Sequence, residues 1–146
     1  MVKPANQPTT LKDIMTSPVI SVTLSHTVFQ VLKMAKENNV TGFPIIDMDN
    51  KVIGVVSTLD LITDATVGKL HLKLGELPLV IKVEKKVIQF NENTPIKEVL
   101  PYFIKNRIGR VITVDAKSRL CGIVSRKDLI NFFINLAIQK EEQDLY

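Results

Sequence analysis

The sequence GVVSTLDL at residues 54–61 occurs again, in altered form, as GIVSRKDL at residues 122–129. Both copies keep glycine, serine and aspartate at the same spacing, and the second copy lies 68 residues after the first. At this offset the match extends without a gap from Val19–Ile62 onto Val87–Ile130. A glycine, a serine and an aspartate repeated at one offset indicate a tandem duplication.

Each copy predicts a β-α-β-β-α unit. In the first copy a short strand at Val19–Thr23 precedes a helix, and Thr27 and Gln30 form a capping-box pattern at the start of that helix. Two apolar strands, Phe43–Ile46 and Val52–Val56, follow on either side of a polar turn and predict a hairpin. The second strand of the hairpin passes directly into the Ser-x-x-Asp turn and another helix. The second copy predicts the same order of elements.

The duplication divides the chain into a first repeat at residues 11–66 and a second repeat at residues 78–134. A connector at residues 67–77 joins them, and we expect it to extend the preceding helix. Residues 135–146 are apolar as far as Ile138 and then acidic, which predicts a C-terminal helical tail.

The composition is that of an ordinary soluble protein. Of its 146 residues, 45% are hydrophobic and 23% are charged, enough to fill the core of one domain or of two small domains that share a core. The net charge of +4 is spread along the chain, so nucleic acid is not expected as a partner. The single cysteine, Cys121, the polar N-terminus and the lack of an apolar run of about 18 residues favour a cytoplasmic protein without a membrane segment.

Metal binding and catalysis are not expected from this sequence. Two histidines and one cysteine cannot form a zinc site of familiar Cys/His spacing. The chain also lacks the Gly-x-x-x-x-Gly-Lys-Ser/Thr and Gly-x-Gly-x-x-Gly motifs that bind phosphates and dinucleotides. We therefore predict that the protein is not an enzyme and holds no metal.

Several motifs together resemble a pair of CBS (cystathionine β-synthase) domains, the two-repeat unit called a Bateman module. They are LKDIM at residues 11–15, Val40–Asp47 with Gly54–Leu61, and Ile108–Asp115 with Gly122–Leu129. The resemblance implies an α/β fold in which the repeats pack through their sheets about a pseudo-two-fold axis. It also implies two clefts that bind AMP, ADP, ATP or S-adenosylmethionine as a regulatory ligand, and it implies a homodimer formed through helices.

We expect the adenosyl ligand to bind at the Ser-x-x-Asp turns. A helix N-terminus presents free N–H groups and the positive end of its dipole, which suits phosphate. By the resemblance, the aspartate accepts the ribose hydroxyls, the serine reaches a phosphate, and backbone next to the first strand and the hairpin binds adenine. The candidate ligand-binding residues of the first repeat are Ile20, Ser21, Thr41, Gly42, Phe43, Pro44, Ser57, Thr58 and Asp60. Those of the second repeat are Ile88, Gln89, Gly109, Arg110, Val111, Ser125, Arg126, Lys127 and Asp128.

The second repeat departs from the family pattern at two positions. Ile112 replaces the usual proline, and Arg110 occupies a position that is small in the first repeat. Arg110 would either grip a phosphate or block the adenine slot. We therefore expect two unequal sites.

Other interpretations of the same residues remain open. Ser-x-x-Asp is also a plain helix cap, so the chain could be a ligand-free scaffold for protein interaction or dimerisation. Phe43 and Pro44 could be ordinary core residues. Lys82, Lys85 and Lys86 alternate with aliphatic residues, which a nucleic-acid-binding accessory would also show, although an exposed strand face explains them better.

The favoured function is a regulatory sensor of adenine nucleotides or S-adenosylmethionine. Ligand binding would shift the population of repeat orientations, and an unknown partner protein would read the change.

Overall fold

The computed structural model describes residues 9–62, 67–77, 88–106 and 109–145. The helices are α1 (Leu11–Ile14), α2 (Val28–Asn38), α3 (Thr58–Leu61), α4 (Ile96–Asn106) and α5 (Arg126–Leu145). The strands are β1 (Gly42–Ile46), β2 (Val52–Ser57), β3 (Gln89–Asn91), β4 (Arg110–Val114) and β5 (Leu120–Ser125). Helices and strands are interspersed along the chain, and the predicted α/β fold class is confirmed.

The chain forms two compact units, each built around one repeat. The first-repeat unit contains the described residues from Ile20 to Leu77, with Ser118–Leu120 added from the second hairpin. The second-repeat unit contains residues 9–19 and the remaining described residues from Ile88 onward. Residues 11–19, which the sequence analysis assigned to the first repeat, therefore pack with the second repeat.

Helix α2 begins as its sequence predicts. The Gln30 N–H donates to Thr27 Oγ1 at 3.1 Å, and the Thr27 N–H donates to Gln30 Oε1 at 2.8 Å, so the predicted capping box is confirmed. The helix ends at Asn39, whose φ of 51° is left-handed and whose N–H donates to the Ala35 and Lys36 carbonyls. Between its ends the helix buries Val28, Val31 and Ala35.

The first hairpin carries the sheet of this unit. Strands β1 and β2 pair antiparallel from Gly42 opposite Ser57, with an irregularity between Ile45 and Ile46, so the predicted hairpin is confirmed. The strand predicted at Val19–Thr23 is reduced to a single parallel bridge between Val22 and Ile45. The fully buried Val22 nevertheless holds this segment against the hairpin.

We expected the connector to extend the preceding helix, and this prediction is wrong. Its residues form turns followed by a 3-10 helix at Leu74–Glu76. The Val28 N–H donates to the Leu72 carbonyl at 2.9 Å, and the Leu74 N–H donates to the His26 carbonyl at the same distance. Leu74 is buried in the core of the first-repeat unit, because these bonds draw the chain back across the start of α2.

The second-repeat unit contains a three-stranded sheet in the order β3-β4-β5, with β3 parallel to β4. Helix α4 packs on it through Ile96, Val99 and Phe103. Helix α1 adds the fully buried Leu11, whose N–H donates to the Thr94 carbonyl at 3.0 Å. These apolar side chains form one core cluster.

The segment after α1 attaches to the free edge of β5. Thr16 forms an antiparallel bridge with Ile123, and each N–H donates to the other residue's carbonyl, at 2.8 and 3.1 Å. The preceding residue, Met15, lies against the buried Gly122, and its sulfur accepts a hydrogen bond from the buried Thr113 hydroxyl at 3.1 Å. Gly122 leaves the space that the Met15 side chain fills.

We predict that Gly122→Ala lowers the free energy of unfolding by about 1–3 kcal/mol, the usual cost of overpacking a core. A Cβ at this position would lie 2.6 Å from Met15 Sδ and 3.0 Å from Thr113 Oγ1. Gly109→Ala is the matched control, since a Cβ there meets no atom within 4 Å. Urea denaturation measures both variants. Equal losses in the two would contradict the packing explanation, and adding Met15→Ala should recover part of the Gly122→Ala loss.

Candidate functional site

The first candidate site forms where β2 passes into α3. The Thr58 N–H donates to the Thr41 carbonyl at 2.8 Å, and the Thr58 hydroxyl contacts the same oxygen at 3.3 Å. Gly42 lies opposite Ser57 in the hairpin register. A Cβ at Gly42 would lie 3.1 Å from the Val56 carbonyl oxygen, so a larger residue at this position would require a small shift of the backbone. The structure thus brings both ends of the hairpin to one place.

Ser57 and Asp60 are linked reciprocally within this turn. The Ser57 N–H donates to Asp60 Oδ2 at 2.9 Å, and the Asp60 N–H donates to Ser57 Oγ at 3.3 Å. Both residues are half-buried. The capping box of the scaffold interpretation is therefore present, and it also fixes the direction of the carboxylate.

The predicted adenine-slot residues differ in exposure. The Val22 N–H donates to the Pro44 carbonyl at 3.0 Å, which brings the adjacent Ser21 beside β1. Phe43 is 3% exposed and belongs to the core cluster, and Pro44 is also buried, as the core interpretation of both residues expects. Ile20, at 41% exposure, still presents a large apolar surface.

The second candidate site repeats this framework with different side chains. The Arg126 N–H donates to the Gly109 carbonyl at 3.1 Å, as Thr58 does to Thr41 in the first repeat. Strand β3 lies beside β4, with Gln89 opposite Ile112 and the Ile112 N–H donating to the Ile88 carbonyl at 3.2 Å. Val111 is buried like Phe43. Residues that are far apart in sequence therefore meet in the same arrangement twice.

Both carboxylate oxygens of Asp128 accept hydrogen bonds. Its Oδ2 accepts from the Ser125 N–H at 2.8 Å and from the Ser125 hydroxyl at 3.0 Å. Its Oδ1 accepts from the Thr16 hydroxyl at 3.3 Å. Thr16 was missed by the sequence analysis, which placed its segment with the first repeat. The bridge between Thr16 and Ile123 brings this hydroxyl to the site.

Charge also separates the two sites. Three exposed cations lie at the second site: Arg110, Arg126 and Lys127. The repeat-related positions of the first site carry uncharged residues: Gly42, Thr58 and Leu59. The inequality expected from Arg110 thus extends to three positions.

Other candidate chemistry is not visible in the described part of the chain. Within it, no group of three or more His, Cys, Asp or Glu side chains could hold a metal ion. No helix of the described residues is long and apolar enough to cross a bilayer. The basic stretch with Lys82, Lys85 and Lys86 lies outside the described residues.

A model of the CBS domain family matches the chain twice, at residues 11–65 and 77–135. The protein belongs to the CBS domain family, as its two repeats suggested. The chain is 28% identical to an uncharacterised protein of Methanocaldococcus jannaschii, over 85% of this chain and 90% of that protein. Some other relatives are longer: the chain spans 25% of the L-aspartate semialdehyde sulfurtransferase of that organism.

Solved structures of the same architecture include adenosyl complexes. A Vibrio cholerae protein assigned to acetoin utilization is 26% identical, with a TM-score of 0.79 over 93% of this chain and 98% of that chain. The CBS domain pair of protein MJ0100, in complex with 5′-methylthioadenosine and S-adenosylmethionine, is 25% identical, with a TM-score of 0.66 over 86% and 99%. CBSX2 in complex with AMP shares the fold at 24% identity, with a TM-score of 0.69 over 88% and 98%.

We predict that Thr16 and Asp128 are energetically coupled. In a double-mutant cycle with Thr16→Val and Asp128→Ala, the coupling energy should be about 1 kcal/mol, as for an exposed hydrogen bond to a carboxylate. Thr16→Ser should keep the stability of the parent, because it retains the hydroxyl. Chemical denaturation of the four proteins gives the coupling, and strictly additive losses would show that the contact contributes nothing.

Proposed function

We propose that this protein is a regulatory module that binds an adenosyl ligand at its Ser-x-x-Asp turns and signals the bound state to a partner protein. AMP, ADP, ATP and S-adenosylmethionine are the ligands of this class. The observation that carries the proposal is the duplicated backbone framework, in which one hydrogen bond ties the start of each hairpin to the following helix. Each framework ends in a carboxylate held by a serine N–H.

In this proposal Asp60 and Asp128 accept hydrogen bonds from the hydroxyl groups of a ribose. Each carboxylate is oriented before the ligand arrives, since the N–H of Ser57 or Ser125 donates to its Oδ2 at 2.9 or 2.8 Å. Preorganisation of this kind reduces the entropy lost when the ligand binds. Thr16 adds a second polar group beside Asp128.

The other candidate residues surround these carboxylates. Adenine would pack beside the exposed Ile20 and bond to the backbone at Ser21 and Thr41–Pro44. An adenine bound in the second repeat would contact Ile88, Gln89 and the segment Gly109–Val111. Hydroxyl and cationic groups at the two turns would hold or guide phosphate: Ser57, Thr58, Ser125, Arg126 and Lys127.

We propose that these sites serve regulation rather than catalysis. The described sites supply hydroxyls, carboxylates and cations that are suited to holding a ligand, and the adenosyl complexes of two solved CBS pairs support the same role. A ligand that binds one conformation better than another shifts the population toward it. A partner protein that contacts only the favoured conformation would then respond to ligand concentration.

Helix α5 supplies the surface for the homodimer that the resemblance implies. Five apolar side chains along α5 are about half exposed: Ile130, Phe133, Ile134, Leu136 and Ile138. Their fractional exposures lie between 45% and 57%. A helix with apolar residues around most of its circumference is stable in water only when a partner covers it. We propose a second copy of this chain as that partner.

The ligand prediction is tested by calorimetric titration with AMP, ADP, ATP and S-adenosylmethionine. At least one should bind saturably, and Asp60→Ala or Asp128→Ala should weaken it about tenfold or more, because a lost charge-assisted hydrogen bond costs about 1.5–3 kcal/mol. Asp47→Ala and Asp115→Ala are the matched controls. These are repeat-related aspartates whose Oδ1 atoms accept backbone N–H groups within the hairpin turns.

The scaffold interpretation makes the opposite prediction for the same proteins. If the Ser-x-x-Asp turns only cap helices, none of the four ligands binds, and the site variants lose about 1 kcal/mol of stability. If the parent protein is folded and none of the four ligands binds to it, the proposed sensor is contradicted.

The dimer prediction is tested by light scattering coupled to gel filtration. The parent should elute as a dimer, and Ile134→Lys should yield monomers because it places a charge within the apolar surface of α5. Lys140→Glu, an exposed charge change further along the same helix, is the control and should remain dimeric. A monomeric parent protein would rule out this dimer.

A further inference from the structure

Three cations gather at the second candidate site. The Arg126 N–H donates to the Gly109 carbonyl at 3.1 Å, so the residue before Arg110 lies directly against the start of α5. Lys127 follows in the first turn of the same helix, one residue before Asp128. All three cationic side chains are exposed. Helix α5 has 20 residues, and the positive end of its dipole adds to their field.

The corresponding place in the first repeat has a different character. Leu59, at the position of Lys127, is 78% exposed and presents an apolar side chain. Thr58, at the position of Arg126, turns its hydroxyl to the Thr41 carbonyl at 3.3 Å. Gly42, at the position of Arg110, has no side chain. None of these three positions offers a charge to a phosphate.

In the proposed binding mode the positions at the start of each helix adjoin the ribose, within reach of its 5′ substituent. With a ribose on Asp60 or Asp128, the two residues before the aspartate belong to the same helical turn as the carboxylate. Cations there favour phosphate oxygens through charge-assisted hydrogen bonds. An alkyl or thioether group would instead cover an exposed leucine at this position and remove its apolar surface from water. A phosphate beside the leucine would lose hydrating water without gaining a polar partner, which would weaken binding.

We infer that the two sites select different adenosyl ligands, which deepens the proposed function and rests on it. The second site takes anionic 5′-phosphates, with ATP as the probe. The first site takes adenosyl compounds without negative charge at the 5′ position, with 5′-methylthioadenosine as the probe. One chain would thus bind two classes of adenosyl ligand at the same time.

Titration of the parent and its two aspartate variants with both probes tests this selectivity. Asp128→Ala should lose ATP and keep 5′-methylthioadenosine, whereas Asp60→Ala should do the reverse, with losses of about tenfold or more. Rising salt should weaken ATP binding and leave the affinity for 5′-methylthioadenosine unchanged, because only ATP binding depends on exposed charges.

Exchange of the distinguishing side chains provides a second test of the selectivity. Arg126→Thr with Lys127→Leu should reduce ATP affinity about tenfold or more, and Thr58→Arg with Leu59→Lys in the Asp128→Ala background should create ATP binding at the first site. Lys97→Thr with Lys117→Thr is the matched control. It removes two exposed lysines, from α4 and from the turn after β4, and should leave both affinities unchanged.

The failures of the two ideas are distinguishable. If either aspartate variant weakens both probes equally, or if the probes exchange sites, the selectivity is overturned and the proposed sensor stands. An equal loss of ATP binding in the Lys97/Lys117 control would show that net charge alone is responsible, which also overturns it. If the folded parent binds no adenosyl ligand, the proposed function fails with it.

Discussion

The hydrogen bond that ties the start of each hairpin to the first residue of the next helix is the constraint on which both candidate sites depend. In the first repeat it joins Thr58 to Thr41, and in the second it joins Arg126 to Gly109. Each bond satisfies one of the N–H groups that a helix start leaves without an internal partner. It also holds the loop before the hairpin against the Ser-x-x-Asp turn, so residues more than a dozen positions apart share one surface.

The two repeats use this shared framework with unequal side chains. A duplicated backbone can diverge at exposed positions at little cost to stability, because substitutions there seldom change the core. The buried positions have kept their character, as Phe43 and Val111 show, while the neighbouring Gly42 and Arg110 have separated in size and charge. Two similar backbones can therefore offer different surfaces to a ligand.

The N-terminal segment gives the second repeat groups that its own sequence lacks. Leu11 enters the core, Met15 fills the space above Gly122, and Thr16 reaches Asp128. The second-repeat unit is consequently built from three separated stretches of chain. Such a unit is completed only when distant parts of the chain meet, since within the described residues it is the Thr16 segment that bridges to Ile123 on the outer edge of β5.

The repeat, the hairpins, the capped helices and the CBS family could all be predicted from the sequence. These features follow from neighbouring residues: the capping box of Thr27 and Gln30 needs only a spacing of three, and the hairpins need only apolar runs around a polar turn. The Thr16–Asp128 contact and the burial of Leu74 in the core could not be predicted, because short-range sequence patterns do not indicate which distant segment will pack there. Sequence alone determined the repeat, the hairpins, the capped helices and the residue types at the Ser-x-x-Asp turns. Only the tertiary structure decided which of them share a core or a site, because burial and long-range pairing depend on the whole folded chain.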